Sequence, residues 1–199
     1  MSRRELLKER ECVVANLAIK IAPMLAKKKP SVLIAFKNGI DEDYDVLINS
    51  RDFIRRILNI DFKLIYEGKN RNQVLFYKPK ELINYISEKW RNRYLKKFGY
   101  NNCQNLEEYL DELSSNFSKT DFPHEIGLFL GYPLKDVVGF IECKEKAKKI
   151  DGSMWKIYGC PKTSIALMEL YRKISNEMKI LLNTNKITNI NLTALQAVG

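Results

Sequence analysis

The sequence lacks a long uncharged apolar run, and no stretch of it approaches the roughly 18 residues that a membrane span needs. The N-terminus MSRRELLKERE is too acidic for a secretory signal, and the apolar stretch VVANLAI that follows is too short for one. These absences argue against a membrane protein and against a secreted one. We therefore expect the protein to be cytoplasmic.

Histidine and paired cysteines are also scarce. The chain has one histidine, His124, and four cysteines, none in a CxxC pair or at a spacing that would hold zinc. This pattern argues against a structural metal site, and we predict none. In a reducing compartment the cysteines are expected to be free thiols, most of them small core residues.

The familiar sequence signatures of cofactor binding and catalysis are missing. The chain has no GxGxxG, P-loop, HExxH, GxSxG or EF-hand motif. No motif therefore indicates ATP binding, NAD binding or a zinc hydrolase, and the sequence leaves any cofactor unknown.

What is present is the composition of an ordinary globular protein. The chain has 199 residues, of which 45% are hydrophobic and 29% charged. A chain of this length buries enough apolar surface to fold without disulfide bonds or metal ions. We predict a single domain over residues 1–183, followed by an Asn- and Thr-rich tail, 184–199, that is either frayed or held by a partner.

The chain is basic, with 34 Lys and Arg residues against 24 Asp and Glu residues and a formal net charge of +10. Each third of the sequence carries an excess of three or four positive charges, so the charge does not form a basic tail. An even excess attracts acidic proteins, nucleic acids and phosphorylated metabolites alike. It also has a plain alternative role, which is solubility.

Hydrophobic periodicity predicts an α+β fold, with a mixed sheet of about four strands flanked by helices. Because a four-residue loop suits an antiparallel hairpin, we expect the second and third strands to pair. Proline and glycine positions predict a helical hairpin over 122–142 and a long helix over 79–98. The predicted strands are 31–36, 62–67, 72–77 and 154–158.

The segment DFPHEIGLFLGYPLKDVVGF, residues 121–140, concentrates glycine, proline and the single histidine. A neutral histidine can act as a general base. The candidate catalytic residues are therefore His124, with Glu125 or Asp136 to orient it. The structural alternative is that His124 is a buried residue hydrogen-bonded to the backbone and that Glu125 caps a helix.

Candidate ligand-binding residues accompany them. Gly127 and Gly131 are four residues apart and would leave a strip without side chains, where another backbone or a flat ligand could approach. Tyr132 in the following turn could point to the same place. Alternatively, Gly131 is only a helix C-cap and the segment is purely structural.

The stretch GSMWKIYG, residues 152–159, is predicted as a short strand with Trp155 and Tyr158 on opposite faces. One of these aromatic side chains is expected in the core. The other, together with Lys156, could line a pocket at the end of the sheet.

Four cations recur at helical spacing in the predicted 79–98 helix: Lys89, Arg93, Lys96 and Lys97. Aromatic residues lie between them in the sequence. Cations interleaved with aromatic rings suit single-stranded nucleic acid, and the same cations suit an acidic protein. The alternative is an apolar core stripe with basic side chains along its edge.

Three stretches resemble a bacterial family known as domain-of-unknown-function family 3793. They are APMLAKKKPSVLIAF, FPHEIGLFLGYPLKDVVGFIE and WKIYG, and they span about residues 21–159 in the family's order. The resemblance implies no activity, cofactor or catalytic residue, because none is established for the family. Members are often encoded near flavodoxin-like or iron-handling proteins, so the resemblance implies that an acidic partner would be of that kind.

The chain also departs from the family pattern. Members often have a His-Cys pair just before the Ala-Pro and a glycine soon after, whereas this chain has Lys20, Ile21 and Lys27 at those places. A metal site built from that pair is therefore not expected in this protein.

Three functional hypotheses remain open from the sequence. The first is a non-catalytic binding or accessory module for an acidic partner. The second is a small hydrolase- or transferase-type enzyme that uses His124, and the third is single-stranded nucleic-acid binding by the 79–98 helix.

Overall fold

A computed structural model provides the coordinates of the protein. It describes residues 3–41, 43–120, 122–142, 147, 148 and 150–184. The predicted tail therefore lies, apart from residue 184, outside the described residues. The contacts within the chain divide it into two compact units, unit 1 (Met1–Lys78 with Tyr171–Gly199) and unit 2 (Pro79–Leu170). The prediction of a single domain over 1–183 stays a prediction.

Unit 1 is built around a three-stranded antiparallel sheet. Its strands are β1 (Ser31–Lys37), β2 (Asp61–Glu67) and β3 (Arg71–Tyr77), in the order β1-β3-β2. The predicted β2–β3 hairpin is confirmed: Asp61 pairs with Tyr77, and the register shifts by one residue between Leu64 and Tyr66. All ladders between these strands are antiparallel, so the prediction of a mixed sheet was wrong.

Helices cover the sheet of unit 1. They are α1 (Arg3–Leu25), α2 (Asp43–Asn49), α3 (Arg51–Leu58) and the second part of α9 (Lys162–Thr184). Pro23 lies in the last turn of α1 and does not stop the helix before Leu25. One apolar cluster of unit 1 joins α1, the sheet, α2, α3 and α9.

Unit 2 is helical. Its helices are α4 (Pro79–Ile86), α5 (Lys89–Leu95), α6 (Leu106–Lys119), α7 (Ile126–Phe129), α8 (Leu134–Glu142) and the start of α9, with short 3-10 turns at Lys96–Phe98 and Tyr100–Asn102. Its buried aromatic residues include Tyr100. The ring of Tyr100 stacks on that of Tyr109, with the centroids 5.9 Å apart, and its centroid lies 5.7 Å from that of the Phe129 ring.

The single long helix expected over 79–98 is interrupted. Glu88 has extended backbone angles (φ −53°, ψ 133°) between α4 and α5. The side chain of Arg91 holds the break, because its guanidinium pairs with Glu88 and donates a hydrogen bond to the carbonyl of Tyr85. Helical periodicity continues across the break, which explains why the sequence pattern did not reveal it.

The fourth strand, predicted at 154–158, is also not confirmed. Only an isolated bridge between Lys148 and Ile157 forms in this stretch of the described chain. The backbone of Tyr158 forms hydrogen bonds with side chains and not with a neighbouring strand. Its N–H donates to Asp136, and its carbonyl accepts from Lys135. The alternating pattern therefore does not form a strand here: Met154 and Trp155 lie in a bend, and Ile157 pairs through an isolated bridge.

Candidate functional site

A cavity of about 320 Å³ lies within unit 2. It is lined by α7, α8, the residues just before α7 and the bend at Met154 and Trp155. Its volume is at the lower end of the roughly 300–1,000 Å³ that small-molecule sites occupy. The residues lining it are Phe122, His124, Ile126, Gly127, Leu130, Tyr132, Asp136, Val137, Phe140, Met154, Trp155 and Lys156.

The turn between α7 and α8 brings the walls of the cavity together. Gly131 follows the end of α7 with φ +76°, a left-handed conformation that glycine adopts without strain. The N–H of Tyr132 donates to the carbonyl of Gly127 and the N–H of Gly131 to that of Leu128, which completes a Schellman motif. Gly131 thus takes the capping role that was its structural alternative, and it does not line the cavity.

Gly127 allows α7 and α8 to approach each other closely. A Cβ on this residue would lie 2.8 Å from Cγ2 of Val137 and 3.1 Å from Cδ2 of Tyr132. The space left by the missing side chain is therefore occupied by neighbours in α8 and the turn, although Gly127 still borders the cavity.

Asp136 is the most strongly bound polar side chain of the cavity wall. Its residue exposure is 2%, and four donors from the described residues converge on its two carboxylate oxygens. Oδ1 accepts from Lys135 Nζ at 2.7 Å and from Tyr158 N at 2.9 Å. Oδ2 accepts from Trp155 Nε1 at 2.8 Å and from Ser164 Oγ at 2.5 Å. These bonds connect α8, the segment 155–158 and α9.

The pKa of Asp136 reflects this environment. Burial by itself raises the pKa of the carboxyl, but the hydrogen bonds from Lys135, Ser164, Tyr158 and Trp155 outweigh burial and hold the pKa below its usual value. An ionised carboxylate with all its lone pairs engaged is a poor proton acceptor at neutral pH. The geometry therefore favours a structural role for Asp136 over catalysis.

Lys135 and Ser164 complete the network, and sequence reasoning missed both. Lys135 Nζ also donates to the carbonyl of Tyr158 at 2.9 Å and to Ser164 Oγ at 2.7 Å. Ser164 is fully buried. The adjacent Lys-Asp pair at the start of α8 was a visible signal, whereas nothing in the local pattern around Ser164 pointed to this network.

His124 lies on the cavity wall just before α7. It is half-buried, and its ring meets the ring of Phe140 edge to face, with the centroids 4.5 Å apart. The structure thus brings His124 and Asp136 to the same cavity.

Glu125, by contrast, faces a different part of unit 2. It is 4% exposed and accepts hydrogen bonds from Asn116 Nδ2 at 2.9 Å and from the hydroxyl of Tyr100 at 3.3 Å. Burial, with the charge of Glu125 as the next cause, raises the pKa of Tyr100 far above its usual range. Glu125 lines a second cavity of about 280 Å³, which His124 also borders. Its side chain makes no helix-capping hydrogen bond.

Aromatic rings form much of the wall of the first cavity. Tyr132 and Trp155 stack with their centroids 4.3 Å apart and their planes 19° apart. The Nζ of Lys156 lies 5.0 Å from the centroid of the Phe140 ring. Of the predicted ligand-binding residues, Gly127, Tyr132, Trp155 and Lys156 therefore meet at this cavity.

Tyr158 does not line the cavity, because it packs behind α8. A Cβ on Gly139 would lie 2.3 Å from Cγ of Tyr158, so this aromatic ring sits directly on the glycine backbone. Tyr158 is 5% exposed, as expected for the core member of the Trp155–Tyr158 pair.

The four predicted partner-binding cations lie after the break in the helix. Lys89 and Arg93 belong to α5, and Lys96 and Lys97 to the 3-10 turn that follows it. All four are exposed, and Trp90 beside them is 39% exposed. The four cations therefore lie in α5 and the 3-10 turn and not on the one long helix that the sequence predicted, and their role in binding a partner stays a prediction.

Among the described residues there is neither a cluster of metal-binding side chains nor a helix that could span a membrane. No group of three or more His, Cys, Asp or Glu side chains gathers there in a way that could hold a metal ion. Nor does any helix in that part of the chain have the length and apolarity to cross a membrane.

Comparison with known protein families gives a match. The family model described as "Protein of unknown function (DUF3793)" matches residues 17–191. No curated protein and no solved structure matches the chain.

Proposed function

The chain belongs to the DUF3793 family of proteins of unknown function, and because that description names no activity, we propose from the geometry of unit 2 that it is a non-catalytic binding module. In this proposal the 320 Å³ cavity holds a small, flat and largely apolar molecule. Pockets of this kind are concave and mostly apolar, with a few polar groups that orient the ligand.

The observation that carries the proposal is that the hydrogen-bonding capacity of the Asp136 carboxylate is fully used. It is the one carboxylate among the described residues of the cavity wall, and four donors already occupy it. Its hydrogen bonds set the positions of Trp155 and the segment around Tyr158, and so they shape the cavity. The wall is therefore held rigidly but offers no unengaged carboxylate for proton transfer.

The rim of the cavity supports an apolar ligand. Met154 is 47% exposed and Phe122 is 37% exposed, and both border the cavity. Together with Ile126, Leu130 and Val137 they provide apolar surface that a ligand would remove from water, the main source of affinity for such molecules.

The proposal is tested with the fluorescence of Trp155. The chain has two tryptophans, so Trp90→Phe leaves Trp155 as the reporter in the cavity wall. We expect planar aromatic compounds from a small-molecule library to change the emission of this variant and to raise its melting temperature. If no compound binds with a dissociation constant below about 1 mM, the proposal is wrong.

A matched pair of variants separates the cavity from the rest of the surface. Met154→Glu places a carboxylate at the rim and should weaken binding, whereas Leu170→Glu makes the same kind of change at an exposed residue that does not line the cavity. Equal weakening by both variants would contradict the proposed site.

An enzyme using His124 is the second candidate, because this side chain borders the same cavity. Each bound compound is therefore incubated with the protein and analysed by mass spectrometry. Unchanged compounds support the binding module. Conversion that His124→Gln abolishes, with the melting temperature retained, would favour the enzyme.

A further inference from the structure

The cavity wall holds one neutralised ion pair, and the rim of the cavity carries a further positive charge. Asp136 is neutralised by the ammonium of Lys135, 2.7 Å away. Lys156 adds a further positive charge among the described lining residues, and none of the ion pairs between described residues includes it. A cavity with this balance favours an anionic ligand over a neutral or cationic one.

The position of Lys156 connects its charge to the aromatic wall. Its backbone follows Trp155, and its Nζ lies 5.0 Å from the centroid of Phe140, within cation–π distance. The ammonium is thus held over one ring of the cavity while the residue remains exposed. A carboxylate that emerges from the cavity would reach it without being fully desolvated, which avoids the cost of burying an ion pair.

The walls favour a planar ligand. Tyr132 and Trp155 stack with their planes only 19° apart, and His124 meets Phe140 edge to face. Aromatic side chains prefer offset-stacked or edge-to-face partners, so a flat ring system can contact several of them at once.

We propose that the cavity recognises planar aromatic carboxylates, with the ring system between the aromatic walls and the carboxylate on Lys156. This inference rests on the proposed function and names its ligand class. It gives Lys156 the role of a specificity-determining residue.

Three probes of the same shape test it: 2-naphthoate, 2-naphthalenemethanol and 2-naphthylmethylamine, which are anionic, neutral and cationic at pH 7. Dissociation constants are measured by isothermal titration calorimetry at low salt. We expect 2-naphthoate to bind about three- to fivefold more tightly than the neutral alcohol, the size expected of a partly exposed ion pair. The amine should bind most weakly.

Variants at Lys156 identify the source of the preference. Lys156→Gln should remove the difference between acid and alcohol, and Lys156→Arg should keep it. Lys148→Gln makes the same charge change at an exposed lysine in unit 2 outside the cavity lining, and it should leave the preference unchanged. The preference should also decrease in high salt, because the ion pair is exposed.

The outcomes separate this inference from the proposed function. If the alcohol binds as tightly as the acid, or if Lys156→Gln leaves the preference intact, the inference is wrong while the cavity remains a binding site. If none of the three probes binds, and the library screen with Trp155 also finds no ligand, both are wrong.

Discussion

At the scale of single residues, Asp136 shows how burial and hydrogen bonding compete. It is nearly inaccessible to water, yet its pKa lies below the usual value because the hydrogen bonds to its carboxylate outweigh the cost of burial. A lowered pKa in the folded state means that ionised Asp136 stabilises the fold above the pKa of the unfolded chain. That contribution is lost as the pH falls through the lowered folded value.

We predict that Asp136→Asn destabilises the protein at pH 7 by about 2–4 kcal/mol. The substitution leaves the ammonium of Lys135 without a carboxylate partner, and the N–H₂ group of the new amide would face hydrogen-bond donors instead of an acceptor. The lower end of this range allows for solvent around Lys135, whose side chain is 36% exposed. Urea unfolding at pH 7 measures the difference in free energy.

The pH dependence provides the control. The advantage of the wild type over Asp136→Asn should shrink as the pH falls below about 4, where Asp136 in the unfolded chain takes up a proton. Asp151→Asn removes an exposed carboxylate in the same unit and should change stability little. An advantage that stays constant down to pH 2.5 would show that the charge of Asp136 is not what stabilises the network.

At the scale of secondary-structure elements, the turn between α7 and α8 determines the cavity. A left-handed glycine ends α7, and a second glycine lets Val137 of α8 pack against the backbone of α7. The two glycines that suggested a strip for ligand approach are thus largely explained by helix packing. The cavity forms beside this contact.

We predict that Gly127→Ala destabilises the protein by about 1–3 kcal/mol, because the new Cβ would lie 2.8 Å from Cγ2 of Val137 and overpack the contact. In a Val137→Ala background both Cγ atoms are gone, so the same substitution should cost much less. Thermal or urea unfolding of the four proteins in this double-mutant cycle measures the coupling. Additive effects would mean that the two residues do not limit each other.

Elements also show where periodicity misleads. The break at Glu88 and the absence of a strand at 154–158 both depend on side chains that bind backbone groups. Arg91 binds the carbonyl of Tyr85, and Asp136 binds the N–H of Tyr158. Such bonds compete with regular secondary structure and leave no mark on the hydrophobic pattern.

At the scale of the whole molecule, the net charge of +10 attracts acidic proteins and nucleic acids alike. The exposed cations of α5 and the turn after it, at Lys89, Arg93, Lys96 and Lys97, are the surface that we predict for such a partner. An acidic protein and single-stranded nucleic acid are the two competing partners for this surface.

We predict that reversing these four charges to Glu abolishes the capture of an acidic protein from a native-host lysate at low salt. Reversal of four exposed lysines of unit 1, Lys8, Lys37, Lys69 and Lys179, changes the net charge equally and should preserve capture. Mass spectrometry identifies bound protein, and absorbance detects nucleic acid. Bound nucleic acid with a steep salt dependence, and no acidic protein, would contradict this prediction and favour the nucleic-acid hypothesis.

The features that depend on neighbours along the chain could be predicted from the sequence. Three strands, the β2–β3 hairpin and the helical pair within 122–142 could be predicted, because hydrophobic period, proline and left-handed glycine act within a few residues. Family membership was likewise visible in short motifs, and a family model now shows it over residues 17–191.

Which side chains share a site became visible only in the folded chain. It joined Asp136 to Trp155 and to Ser164, which are 19 and 28 residues away in sequence, and it turned the neighbouring residues His124 and Glu125 toward different partners. The physical reason is that a buried carboxylate must find donors wherever the fold brings them near, and the local pattern does not encode those long-range contacts.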